Sequence, residues 1–360
     1  MFMLRFFIVV LFVVGVFFSV NTQEWGYTDS VKAEVLHTLK DFPDGSQFSI
    51  AIVEADTVYF FGFKKDFNEV LTVDNRDQHF EIGSITKVFT STLLSMAVQE
   101  EKIKLDRKIN KDLPFNLNQK QKISYLQLAN HTSGLPRLTP DLMMSALLNP
   151  DNPYAEYNET KFKEYLQKEL ELTKNQEGKY VYSNVGAGLL AYTMSFVYEK
   201  PFDTLLQEKI FSHYKMKETS FDKDSCAHTL VKGIDGEGFE TENWSFSAMK
   251  GAGGLFSTVA ELAIFAQAHF DETDEALSLT RQKTLDITGD FGIAMGWHVI
   301  SKEDHTVYWH NGGTGGYSSS LSMDVNQKKA VIVLTNISGL SSLNKKIDPL
   351  CFSLINKITR

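Results

Sequence analysis

The feature that most restricts the fold is where the strand-like runs lie. Two of them, 48–53 and 57–63, sit near the beginning of the chain, and four more, 296–300, 306–309, 318–323 and 330–335, sit near its end. Between them, from about 84 to 270, apolar residues recur at helical spacing, notably over 84–98, 161–170 and 185–198, and no long strand intervenes. A sheet must therefore be assembled from the two ends of the chain, with the helical stretch carried between them. The pattern predicts an α+β fold: an antiparallel β-sheet flanked by helices, with an inserted all-helical lobe. Val31, Val35, Leu36 and Leu39 mark one flanking helix over 30–39, and Ile347, Leu350, Leu354, Ile355 and Ile358 mark another at the end of the chain. The expected division is a sheet-bearing lobe from about 24–80 and 245–360 and a helical lobe over about 84–244. No Pro/Gly-rich linker or internal repeat separates independent units, so 23–360 reads as one domain.

Residues 1–22 stand outside that domain. Arg5 is followed by the apolar run 6–20, which as a helix would span ~22 Å, short of a ~30 Å hydrocarbon core. A basic residue, an apolar stretch and the small residues Ser19 and Thr22 read as a secretory signal peptide. The competing reading is an uncleaved anchor, because no Ala-x-Ala site is present and the run would recruit Met1 to Leu4. Either way the remainder is expected to be exported, periplasmic or secreted, touching a membrane only if the segment is retained.

The formal charge of −9, with Lys and Arg dispersed among Asp and Glu, argues against a nucleic-acid surface. Cys226 and Cys351 are the whole cysteine complement, too few for a disulfide framework or a zinc knuckle, and a single disulfide is left open. There is no GxSxG elbow, no HExxH helix and no GxGxxG, since Gly251, Gly253 and Gly254 lack that spacing. This points away from an α/β-hydrolase, a zincin and a dinucleotide enzyme.

Three patterns carry chemistry. SxxK occurs at Ser84, Ser212, Ser220, Ser247 and Ser342, and a serine becomes a nucleophile only with a base beside it and stabilisation of the developing charge. Ser84 alone opens a long helical run. On a helical wheel Ser84, Lys87 and Ser91 share one side while Phe89, Leu93, Met96 and Ala97 share the other, predicting an amphipathic helix anchored opposite the lysine. The free N–H groups of a first turn favour an oxyanion, and burial depresses a lysine toward a usable base. The bland alternative is an N-capping serine with a solvated lysine. Tyr182-Ser183-Asn184 offers a phenol for proton relay and an amide for a substrate amide, or simply a core aromatic before an N-cap. Residues 309–317 hold His310-Asn311-Gly312 and four glycines between two strand-like runs, suggesting either close approach of backbone to an extended ligand or a glycine-rich hairpin.

Taken in order, Phe80-Glu81-Ile82-Gly83-Ser84-Ile85-Thr86-Lys87, Tyr182-Ser183-Asn184 and His310-Asn311-Gly312 resemble the three motifs of the penicillin-recognising serine hydrolases, the superfamily of class C β-lactamases, DD-peptidases and related esterases. His131-Thr132-Ser133-Gly134-Leu135-Pro136 and the segment 251–258 resemble its supporting segments, and the likeness covers roughly 48–336. The resemblance implies a two-lobed catalytic domain with its site in the cleft between the lobes. Ser84 would attack a carbonyl to form an acyl-enzyme, with Lys87 and Tyr182 sharing proton transfer. Asn184, His310 and Gly312 would bind substrate, and the backbone N–H groups of Ser84 and Gly313 would form the oxyanion hole. No metal or cofactor is implied. The expected function is an exported serine hydrolase acting on a small-molecule or peptide substrate at a peptide, ester or β-lactam carbonyl. The alternatives are a true class C-type β-lactamase and, from another class, a non-catalytic cell-envelope binding protein. One departure matters: His310 stands where many β-lactamases of the family have lysine. An imidazole is largely neutral at pH 7, so substrates with a carboxylate are expected to lose a charge-assisted contact there, while neutral esters lose nothing.

Overall fold

In the computed structural model, which describes residues 26–67, 69–118 and 122–358, the strand-forming runs from the two ends of the chain meet edge to edge. The signal peptide or anchor expected over 1–22 lies outside the described residues. β1 (Gln47–Glu54), β2 (Thr57–Asp66) and β3 (Glu69–Thr72) come first, and β4 (Phe80–Glu81) pairs only with β5 (Phe256–Ser257). Then follow β6 (Leu285–Thr288), β7 (Phe291–Ile293), β8 (His298–Ser301), β9 (Thr306–Gly313), β10 (Ser318–Asp324) and β11 (Lys329–Thr335). Apart from β4 and β5 these strands form one antiparallel sheet, in the order β3-β2-β1-β11-β10-β9-β8-β7-β6. The seam between the two ends is β1 against β11, in register from Phe48 opposite Thr335 to Glu54 opposite Lys329. With its flanking helices and the helix-rich stretch between β4 and β6, the fold is α+β.

Successive side chains of a strand face opposite ways, and here both sides are covered. Phe48, Ile50 and Ile52 of β1, with Val331 and Val333 of β11, pack against the helices Gly26–Leu39 and Ile347–Ile358. Ala51 and Val53, with Ile332 and Leu334, enter the larger core shared with the helix-rich stretch. Burial on both faces is why these central strands read as continuous apolar runs rather than alternating ones.

The sheet is wider than the sequence predicts. β3 and β6 are four-residue edge strands with mostly exposed residues, so they carry no apolar periodicity to read. β9 runs four residues past 309, which takes His310, Asn311, Gly312 and Gly313 into the strand and leaves the turn at 314–317. The helix expected from Ser84 also differs. Ser84 stands in a short 3₁₀ turn, Gly83–Ile85, and the α-helix is Thr86–Gln99. That helix is not amphipathic in the expected sense: Thr86 through Ser95 are all buried. Small hydroxyls make this possible, since they close on nearby carbonyls: Thr92 on Val88 O (2.9 Å), Thr90 on Gly251 O (2.9 Å) and Ser95 on Ala276 O (2.6 Å).

Cys226 and Cys351 are both buried and free. Cys351 lies on the last helix, its sulfur 3.1 Å from the Ser322 hydroxyl, so the single disulfide left open is not formed. Among the described residues no helix is long and apolar enough to cross a membrane.

Candidate active site

The chain around Ser84 is shaped by what must press against it. Gly83 sits at φ +52°, where a side chain is strained, and a Cβ there would lie 2.6 Å from Gly313 N. A Cβ on Gly312 would lie 2.1 Å from Ile82 O and 2.9 Å from Ser84 N. Glycine at both positions lets the end of β9 lie backbone to backbone against the Ser84 turn. Ser319 of β10 fastens the contact by donating to Ile82 O (2.9 Å), and Ile82 N donates to Leu255 O (3.0 Å). Gly312 is therefore spent on close approach to the Ser84 turn, while Gly315 and Gly316 lie in the turn of the β9–β10 hairpin.

One helical turn beyond Ser84, Lys87 points inward and is buried. Its Nζ lies 2.9 Å from Ser84 Oγ and donates to Ala252 O at 2.6 Å. Burial first, and then the positive charge of Arg137, hold its pKa well below the usual lysine range. No carboxylate offsets those two causes, so the amine is poised to be neutral.

Tyr182 is held by the chain on both sides of it. Ser183 caps the helix Asn184–Tyr198: its hydroxyl accepts from Gly186 N (2.8 Å) and donates to Pro136 O (2.6 Å). Ser183 N in turn donates to His131 Nδ1 (3.2 Å). The Tyr182 ring lies tilted against His131 at 4.5 Å between centroids, and Lys87 Nζ and the Arg137 guanidinium lie 4.9 Å and 5.1 Å from its centroid. Burial pushes the phenol pKa well up, opposed by a hydrogen bond with Ser84 and by Arg137. The two shifts run in opposite directions: burial favours the protonated phenol of Tyr182 and the neutral amine of Lys87. Asn184 donates from Nδ2 to Tyr154 Oη (3.1 Å), while its Oδ1 is buried without a partner.

His310 is buried on β9 and its Nδ1–H donates to Asn311 O (2.6 Å). Burial, then His298, then Lys87 hold its pKa well below the ordinary histidine range. Its ring lies 5.2 Å from that of His298 and 6.3 Å from that of Tyr182. His298 Nε2 lies within hydrogen-bond distance of Tyr180 Oη (2.9 Å), and burial depresses its pKa to about 4. The imidazole in place of lysine is thus uncharged through the neutral range.

These residues surround one cleft of about 490 Å³. Ser84, Tyr182, Asn184, Gly312 and Gly313 line it, while Lys87 and His310 stand close behind its wall. Ser212, Ser220, Ser247 and Ser342 take no part in it. The fold also brings residues that the sequence did not single out: Arg137, Tyr154, Tyr180, Trp244 and His298. Arg137 directly follows the 131–136 segment; the others reach the cleft from distant parts of the chain. Trp244 is positioned by buried Glu81, which accepts from Trp244 N (3.0 Å) and Asn243 Nδ2 (2.7 Å). A hydroxyl within hydrogen-bond reach of a buried amine whose pKa is lowered, a phenol beside it and a glycine backbone against it make a set suited to acyl transfer.

The Beta-lactamase family model matches residues 47–349. The D-alanyl-D-alanine-carboxypeptidase/endopeptidase of Escherichia coli (strain K12) is 24% identical over 296 residues, covering 76% of this chain and 74% of the relative. Among solved structures, an octameric penicillin-binding protein homologue from Pyrococcus abyssi superposes with a TM-score of 0.77 at 20% identity, over 92% of this chain and 77% of the other. A class C β-lactamase from Rhodobacter sphaeroides gives 0.76 at 17% identity, over 92% of this chain and 100% of the other. Matched over most of its length and in the order of its motifs, the chain belongs to the Beta-lactamase family and is a serine hydrolase of that family.

Proposed function

We propose that the protein is an exported hydrolase that opens a peptide, ester or β-lactam carbonyl through an acyl-enzyme at Ser84. The observation that carries this reading is the 2.9 Å contact between Ser84 Oγ and the buried Lys87 amine. A neutral amine takes the serine proton as Oγ bonds the carbonyl carbon; a phenol with a raised pKa does not, so Lys87 is the base in the free enzyme. The tetrahedral oxyanion is met by the N–H groups of Ser84 and Gly313. As the carbonyl reforms, Tyr182 gives its proton to the departing oxygen or nitrogen and is reprotonated by the Lys87 ammonium. Water then attacks the ester with the same groups acting in reverse, freeing Ser84 and the acid. The unpartnered Oδ1 of Asn184 accepts an N–H from a substrate amide. Export rests on the character of residues 1–22. A peptide substrate is supported by the printed activity of the Escherichia coli relative.

A panel on purified protein tests the reading: an aryl ester, a peptide ending in D-Ala-D-Ala and a chromogenic cephalosporin. Hydrolysis of the ester and the peptide, with Ser84 transiently acylated, is the expected outcome. Rapid clearance of the cephalosporin in preference to both would instead make the protein a class C-type β-lactamase. No acylation of Ser84 by any of the three would leave a binding protein.

A further inference from the structure

The cleft walls hold a charge imbalance that the catalytic set does not use. Among the described lining residues Arg137 alone carries a formal charge; no Asp, Glu or Lys lines the cleft with it. Its guanidinium makes no ion pair or hydrogen bond among the described residues, and the contact it does make is with the Tyr182 ring, 5.1 Å from the centroid. Its backbone is fixed, because Arg137 O accepts from Asn184 N at 3.0 Å. Leu138, Leu142, Pro153 and Leu340 make the adjoining wall apolar. An exposed, unpaired guanidinium at the edge of such a surface is a ready fork for a carboxylate. Its place over the phenol that protonates the leaving group sets the side of the substrate on which that carboxylate belongs.

We propose that Arg137 is a specificity-determining residue that binds a carboxylate on the leaving group of the substrate, supplying from the 131–137 segment the cation that His310 does not supply from β9. The preferred substrates are then acyl compounds whose departing amine or alcohol bears an acid group. The loss of carboxylate recognition expected from His310 is accordingly confined to that position. This inference rests on the acyl-enzyme reading above.

Two esters with the same N-acylglycyl group separate the possibilities: the phenyl ester and the 3-carboxyphenyl ester, whose phenols leave with near-equal ease. Both give the same acyl-enzyme, so any difference in kcat/KM arises before deacylation. The wild type is expected to favour the 3-carboxyphenyl ester by 10- to 100-fold, less at high ionic strength. Arg137→Gln should bring the ratio of the two kcat/KM values to about one, and Arg137→Lys should keep part of the preference. Equal slowing of both esters in Arg137→Gln would mean that Arg137 acts only through the Lys87 and Tyr182 pKa values, and an unchanged ratio would mean that it does not meet the carboxylate; either overturns the proposal. Hydrolysis that survives Ser84→Ala, or a wild type that cleaves neither ester, overturns the acyl-enzyme reading itself.

Discussion

At the scale of single residues, the account turns on the protonation of Lys87. In the folded protein its pKa is depressed, chiefly by burial, whereas in the unfolded chain it titrates near ~10.4. Between those two values the unfolded state binds the extra proton, so this residue makes folding less favourable at low pH and its cost fades as pH rises toward the unfolded value. Lys87→Met should therefore gain stability relative to wild type most at pH 6 and least at pH 9.5, while losing 10²- to 10⁴-fold in acylation rate. Denaturant unfolding at the two pH values and single-turnover kinetics measure both; a stability difference that does not change with pH would show that the folded lysine titrates normally. Ser84 and Lys87 were legible because residues three apart on a helical turn lie side by side whatever the rest of the chain does. Arg137, His298 and Trp244 were not, since each reaches the cleft through tertiary packing.

At the scale of elements, the decisive contact is the end of β9 against the Ser84 turn. Sequence marked the glycines as unusual and left open whether they serve close approach or a hairpin; in the strand they remove side chains where Gly312 faces Ile82 O and Gly83 faces Gly313 N. Gly312→Ala places a methyl where those backbones meet, pushing β9 away and disturbing the oxyanion donors. A drop of roughly 10²- to 10³-fold in acylation is expected, the usual cost of a lost oxyanion donor, with the change in kcat rather than KM. Steady-state kinetics on an aryl ester checks it, and near-wild-type turnover would remove Gly312 and Gly313 from the oxyanion site. The helix Thr86–Gln99 shows the limit of periodicity as a guide. Its spacing is helical, but its small hydroxyls find carbonyls brought to them by the fold, those of Gly251 and Ala276 among them, so the side read as open is buried as deeply as the apolar one.

At the scale of the whole molecule, strands at both ends of the chain oblige the sheet to close through β1 and β11, and that much was legible from the order of the runs alone. The short edge strands were not, because a four-residue exposed strand takes its shape from the neighbour it pairs with rather than from its own residues. The closure puts two cores on opposite sides of one sheet and leaves the cleft where the helix-rich stretch meets β9. The claim that this cleft works through a serine acylated beside a neutral lysine is tested most directly by mass mapping of the adduct formed with a fluorescent penicillin or a fluorophosphonate. A single adduct on Ser84, absent from a Ser84→Ala variant whose circular dichroism and melting are unchanged, is the predicted result. Labelling that persists in that variant, or that maps to Ser212, Ser220, Ser247 or Ser342, would contradict it.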